Sequence, residues 1–246
     1  MKIDYTRHYL KWHNDSDSHR KAMLAHYHQL LGPYLPTNKA IKILDVGCGM
    51  GFALLALREM GFTNLSGVES DTGQAKSCQD KKLDVALAAD TIQFLKQEQG
   101  TYDLILCLDV IEHVPVAIQL SFVHALAGAL CSGGKLICTV PNANSALAAR
   151  WRYIDWTHTA SFTEHSLDFL LYNGGFTDIN VTGHEFNRRP KNVWLPIGGA
   201  RHWWAFRFFR LFRRLEMMAE LGPAQGRKVP LSLNLIATAI NRTNPT

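Results

Sequence analysis

Three glycines at alternate positions, Gly47, Gly49 and Gly51, follow the apolar run Ile41-Lys42-Ile43-Leu44-Asp45-Val46. The pattern predicts a buried strand that turns sharply into a helix over Phe52 to Met60. A side chain at any of the three positions would hold a ligand off the backbone, so the glycines point to a ligand against bare amides at a helix N-terminus. A second apolar run, Leu65 to Val68, ends at Glu69. That is about 20 residues past the glycines, where α/β nucleotide sites keep a carboxylate for ribose hydroxyls.

The spacing also discriminates between ligands. A dinucleotide fingerprint is Gly-x-Gly-x-x-Gly, but Phe52 occupies the last position here and the glycines run Gly-x-Gly-x-Gly. That favours a nucleoside without a pyrophosphate. The run Asp45-Val46-Gly47-Cys48-Gly49-Met50-Gly51 resembles the first motif of class I S-adenosylmethionine-dependent methyltransferases. The resemblance covers about Lys39 to Gly183 and resumes at the final strand. It implies a Rossmann-like, doubly wound α/β sheet of seven mostly parallel strands with an antiparallel last strand. It also implies S-adenosylmethionine as cofactor and S-adenosylhomocysteine as product, with Asp45, Gly47, Cys48, Gly49, Gly51, Glu69 and Ser70 among the binding residues.

Further along, Asp84 to Ala88 makes a short strand and Asp90 follows it. Asp90 suits a helix N-cap. By the resemblance it also accepts from the adenine amine, with Thr91 or Ile92 on the ring. Tyr102 to Leu108 reads as a strand buried on both faces, and it delivers Asp109-Val110-Ile111-Glu112-His113-Val114 to the carboxyl edge, where open α/β sheets bind ligands. This run resembles the fourth-strand segment of the branch ending Glu-His-Val. That likeness implies Leu108 and Asp109 at the methionine end of the cofactor and Glu112-His113 at the start of the next helix. His113 belongs with the cofactor residues, either holding the loop or acting as a base. A helix over Ala117 to Leu130, a turn at Ser132-Gly133-Gly134 and a strand over Lys135 to Val140 follow, with further strands at Thr177 to Thr182 and Leu233 to Ile240.

At 246 residues and 47% hydrophobic, the chain suffices for a single α/β domain with appendages. These are an N-terminal lid or accessory helix (1–38), the cofactor core (39–183), a basic insertion (184–231) and the last strand (232–241). The first residues crowd Tyr5, His8, Tyr9, Trp12 and His13 together, as either a mobile terminus or a lid. In a lid, an aromatic face from Tyr5, Tyr9 or Trp12 would suit a sulfonium cation. Asp17 or Ser18 is expected to cap a helix from His19 to Leu31, which Gly32-Pro33 ends. The five scattered cysteines read as reduced core thiols of a cytoplasmic protein, and no uncharged apolar run is long enough to span a bilayer.

The segment Asn142 to His165 lacks a clean period of either kind and is rich in aromatics, which marks it as the acceptor wall. Its Asp155-Trp156-Thr157-His158, followed by Ser161-Phe162-Thr163, resembles methyltransferases of bacterial surface-polysaccharide synthesis. An alcohol acceptor must lose its proton as the methyl arrives, and His158 is the best-placed general base, with Asp155 near enough in sequence to orient it. No metal site is expected, because no further ligand cluster is evident around Asp155 and His158. The resemblance implies a glycan or lipid-linked saccharide hydroxyl as acceptor. The alternatives are a quinone-type or other lipid phenol, suggested by Glu112-His113-Val114, and a non-catalytic cofactor-binding partner.

Net charge is +5, and the excess is local: Ala200 to Ala219 holds five arginines and one glutamate. On a helix, Arg207, Arg210, Arg213 and Arg214 share one arc, and Trp204, Phe208, Leu211, Phe212, Leu215 and Met218 another. The expectation is a peripheral anchor on an anionic membrane, aromatic face down and guanidinium groups toward phosphates. A core helix and a homodimer contact are the alternatives, and no nucleic-acid partner is expected.

Overall fold

Ile43 and Leu44 are adjacent in sequence and both fully buried, as are Leu104, Ile105, Leu106 and Cys107. Neighbours on a strand point to opposite faces, so both faces of the sheet must be covered. The computed structural model describes residues 5–185 and 199–242. Its strands are β1 (Lys42–Val46), β2 (Asn64–Glu69), β3 (Val85–Leu87), β4 (Tyr102–Leu108), β5 (Leu130–Pro141), β6 (Phe176–His184) and β7 (Asn234–Asn241). They form one sheet in the order β3-β2-β1-β4-β5-β7-β6. All are parallel except β7, which runs antiparallel to β5 and β6. This is the doubly wound architecture that the glycine motif and the strand–helix alternation lead one to expect.

The helices are α1 (Tyr5–Tyr9), α2 (Asp17–Leu31), α3 (Phe52–Glu59), α4 (Thr72–Asp80), α5 (Thr91–Gln97), α6 (Val116–Ala129), α7 (Ala148–Ile154), α8 (Glu164–Asn173), α9 (Gly199–Leu221) and α10 (Pro223–Gly226). On one face of the sheet Ile43, Leu104, Leu106 and Ile137 meet Leu30 and Leu31 of α2 and Leu57 of α3. On the other, Leu44, Ile105, Cys107 and Cys138 meet Phe122 and Leu126 of α6 and Leu167 and Leu171 of α8. Each buried leucine contributes about 1.5–3 kcal/mol. The five cysteines are all free, and Cys107 and Cys138 serve as small apolar residues in this core.

Three local expectations are corrected. The cap of α2 is Ser16, whose side chain accepts from the His19 amide, not Asp17 or Ser18. Ser132-Gly133-Gly134 is not a turn between elements but lies within β5, which pairs Tyr102 with Leu130 and then Leu104 with Lys135. The extra residues are absorbed in a bulge in which Gly133 takes φ +73°. Glu112-His113 does not open α6. Ile111–His113 is a single 3-10 turn, Pro115 interrupts it, and the helix starts at Val116. A residue before proline avoids helical backbone, which separates the two elements. The buried Glu112 is therefore held in a tight loop at the carboxyl edge.

Candidate functional site

The strand order reverses between β1 and β4, so their carboxyl ends open a crevice. At the end of β1 the three glycines take φ +68°, +56° and +79°, a left-handed path that other residues rarely follow. A Cβ at Gly47 would lie 2.6 Å from Val110 Cγ2, and one at Gly51 would lie 2.3 Å from Leu83 Cδ1. The amides themselves are not bare. Gly47 and Cys48 donate to the Val68 carbonyl at 2.8 and 3.3 Å, and Gly51 donates to the Cys48 carbonyl at 2.9 Å. The Gly49 amide donates to Glu69 Oε2 at 2.8 Å. Buried amides must be paired, so the glycines supply clearance rather than free donors, a correction to the expectation.

Glu69 Oε1 also accepts from the Ser70 and Asp71 amides, each at 2.8 Å. Three amides thus fix this carboxylate at the tip of β2. A carboxylate has about four acceptor directions, so Oε2, which accepts from Gly49 alone, keeps one for a hydroxyl donor. Burial and the neighbouring charge of Glu69 push the buried Asp45 carboxyl up to about 8. Cys48 packs its thiol among Leu54, Cys78 and Val85, so only its backbone belongs to the loop. Asp90 caps α5, accepting from the Gln93 amide at 3.0 Å, with Thr91 as the first helical residue. Leu108 ends β4, and Asp109 beside it has φ +55°. Thr139 Oγ1 donates to Asp109 Oδ1 at 2.9 Å, and Asn234 Nδ2 donates to the same oxygen at 3.2 Å.

The helix α1 lies across this crevice. Thr6 donates to Asp71, and Tyr5 donates to Asp155 Oδ2 at 2.9 Å, with His8 Nε2 3.2 Å from the same oxygen. The Tyr9 hydroxyl accepts from the Met50 backbone, and a Cβ at Gly49 would come 2.9 Å from it. The described part of the N-terminus packs on the glycine loop through Tyr9 and on Asp71 through Thr6. Trp12 is exposed.

The segment 142–165, expected to be the acceptor wall, lies on the other side and contains α7, which its composition did not announce. Arg152 donates to the carbonyls of His158 and Thr159, and Thr159 Oγ1 lies 2.9 and 2.7 Å from the Glu112 and Val114 carbonyls, which share its one proton. Asp155 does not orient the His158 ring. Its carboxylate accepts from the amide and hydroxyl of Thr157 at 2.8 and 2.7 Å, besides Tyr5. Burial would raise the Asp155 pKa, but these donors hold it below the usual carboxylate range. His158 Nδ1 lies 2.8 Å from the Trp151 carbonyl instead.

These contacts fix two tautomers. A carbonyl only accepts, so the neutral form of His158 carries its proton on Nδ1, and Nε2 is its basic nitrogen. The Thr157 hydroxyl is spent on Asp155, so it accepts from His113 Nδ1 at 2.7 Å, and His113 Nε2 is likewise unprotonated. Burial, then the neighbouring His158, pushes the His113 pKa down to about 4. The two rings meet edge to face at 4.6 Å.

Beneath them Glu112 Oε2 is buried without a hydrogen-bond partner, and burial, then Asp109, raises its carboxyl well above the ordinary value. Glu112, His113 and His158 each offer one donor atom, all within 4.8 Å of one another, so the fold brings together three groups that could hold a divalent cation. Spacing in the sequence hid this set, because the Asp-x-x-His pattern drew attention to Asp155. Thr157, Thr159 and Arg152 were also missed, and their only signal was membership of the wall.

Comparison with known proteins agrees with this architecture. Residues 16–181 match the family model described as a methyltransferase domain. The ubiquinone biosynthesis O-methyltransferase of Psychrobacter arcticus is 27% identical over 173 residues, 63% of this chain and 66% of that protein. The enzyme of the same name from Erwinia tasmaniensis is 30% identical over 109 residues, 42% of this chain and 44% of that protein. The chain thus spans less than two thirds of either relative. A SAM-dependent methyltransferase from Archaeoglobus fulgidus superposes with a TM-score of 0.64 at 20% identity, covering 90% of this chain and 94% of that one. With its glycine loop, its sheet order and a family match over most of its length, the chain belongs to the class I S-adenosylmethionine-dependent methyltransferases.

Proposed function

We infer that the enzyme transfers the methyl group of S-adenosylmethionine to the hydroxyl of a lipid-borne phenol of the quinone type, with His158 as general base. The observation that carries this reading is the 2.8 Å contact of His158 Nδ1 with the Trp151 carbonyl, which leaves Nε2 as the ring nitrogen that can take a proton. The acceptor oxygen attacks the methyl carbon, the carbon–sulfur pair stays on sulfur, and the hydroxyl proton passes to Nε2. A poised imidazole contributes about a hundred- to ten-thousandfold, and holding donor and acceptor in line supplies much of the rest.

On this reading the loop of Gly47, Gly49 and Gly51 with Asp45 receives the cofactor, and Glu69 takes the ribose hydroxyls. Asp90 and Thr91 face adenine, and Leu108 and Asp109 the methionine end, under Tyr9. The names of the two relatives support a phenolic acceptor over the glycan hydroxyl that the wall motif suggests. A glycan remains the second reading because Tyr153 and Trp156 are exposed on the wall, at 78% and 85%, and offer flat faces to a sugar ring.

The test is transfer of radiolabelled methyl into a solvent-soluble phenolic lipid fraction and a polysaccharide fraction. Label in the aromatic lipid supports the first reading. Label only in acid-labile carbohydrate supports the second.

A further inference from the structure

Helix α9 is oriented against the usual rule. Trp203, Phe206, Arg210, Arg213, Arg214 and Met217 form its half-buried side, and Trp204, Phe208, Leu211, Phe212 and Leu215 lie on the exposed one, each at least half accessible. The arginines explain the inversion. Arg214 Nη1 donates to the Gly226 and Val229 carbonyls at 2.6 and 2.7 Å, Arg210 pairs with Glu185 at 3.0 Å and Arg213 with Glu216 at 2.6 Å. Three of the four cations expected to face phosphates are therefore spent on the protein, and they hold the aromatic ridge outward.

We propose that this ridge docks the enzyme on an anionic bilayer surface, with Trp204, Phe208, Leu211, Phe212 and Leu215 entering the headgroup layer and the exposed Arg201 and Arg207 meeting lipid phosphates. Charge complementarity selects this occupant. Over its whole length, Gly199 to Leu221, the helix carries five arginines against two acids, Glu216 and Glu220, and both acids follow the arginines. A second copy would present the same sign, whereas an anionic leaflet presents the opposite one. None of the described helices is long and apolar enough to cross a membrane, so the contact is peripheral.

Its position suits the site. Asn142, at the carboxyl end of β5, donates to the Pro230 and Ser232 carbonyls at 2.9 and 2.8 Å. The segment on which Arg214 rests is thereby tied to the sheet edge that holds the crevice. The inference does not depend on the acceptor, since binding is read without one.

The experiment is co-sedimentation of the purified full chain with vesicles of phosphatidylcholine alone and of equimolar phosphatidylcholine and phosphatidylglycerol. Two exposed arginines at about fivefold each give roughly a 25-fold preference for the anionic vesicles. The surface pair Phe208→Ser with Phe212→Ser should lose binding to both while keeping its melting temperature. Arg201→Gln with Arg207→Gln should lose only the anionic preference. Wild-type protein that stays in solution with both vesicles overturns the proposal, as does binding indifferent to the ridge pair. A lipid-free dimer in sedimentation equilibrium that the ridge pair dissociates, with no vesicle binding, would assign the ridge to a second copy instead.

Discussion

The Tyr5 hydroxyl donates to Asp155 Oδ2 at 2.9 Å across 150 residues of sequence, so one hydrogen bond joins the N-terminal helix α1 to the residue that follows α7. Thr6 on Asp71 and Tyr9 over Gly49 attach the same short helix to the glycine loop. One short helix thus touches both sides of the crevice.

Removing that bond should loosen α1 without unfolding the sheet, because this helix contributes no fully buried residue to the core. A hydrogen bond to an ionised carboxylate contributes about 1.5–3 kcal/mol. Tyr5→Phe should then release S-adenosylhomocysteine roughly ten- to a hundredfold faster in a stopped-flow displacement, with little change in melting temperature. An unchanged release rate would mean that α1 does not gate the cofactor.

Gly51→Ala should destabilise the fold by two separable effects. The φ of +79° strains an alanine by about 1–2 kcal/mol, and the added Cβ would meet Leu83 Cδ1 at 2.3 Å. Gly61→Ala isolates the first effect, since its φ is +90° and nothing lies within 4 Å of the added carbon. Thermal melts should show a larger drop for Gly51→Ala than for Gly61→Ala, and Leu83→Ala added to the former should recover the excess. Equal drops would leave the clash without weight.

The glycines and Glu69 were legible in the sequence because the strand, turn and helix that use them are contiguous, and local backbone demands appear as local residue choices. The same pattern misled on the amides, since a run of glycines does not reveal that Val68 and Glu69 already accept from them. Contacts such as Tyr5 to Asp155 and His158 to the Trp151 carbonyl depend on where loops cross, which no period records. The two arcs of α9 were also readable, but which one packs was decided by carbonyls at Gly226 and Val229 and by Glu185. A helical wheel contains none of these.

Two buried groups should shape stability against pH from opposite sides. The folded pKa of His113 is near 4 against 6.5 unfolded, so its contribution is complete above 6.5 and is lost as pH falls toward 4. The folded pKa of Asp45 is near 8 against 3.8 unfolded, so its protonated form favours the fold at low pH and that contribution is lost as pH rises from 3.8 to 8. Melting temperatures of the cofactor-free protein should thus decline less on the alkaline side in Asp45→Asn and less on the acid side in His113→Gln. Variants whose curves run parallel to the wild type would assign the titration elsewhere.

His158 carries the sharpest prediction, because its geometry separates chemistry from binding. Its Nδ1 is held by the Trp151 carbonyl, so a glutamine can keep a donor on that side while presenting no basic nitrogen on the other. His158→Gln should slow single-turnover methyl transfer by about a hundred- to ten-thousandfold. Cofactor affinity by calorimetry should be unchanged, since the groups assigned to the nucleoside lie around β1 to β3. A phenol ionises more readily than a sugar hydroxyl, so the loss should shrink as the acceptor pKa falls along a series of substituted phenols. A loss that is the same for every acceptor would mean that His158 positions the wall rather than taking the proton. Unchanged single-turnover chemistry would remove it from the mechanism altogether.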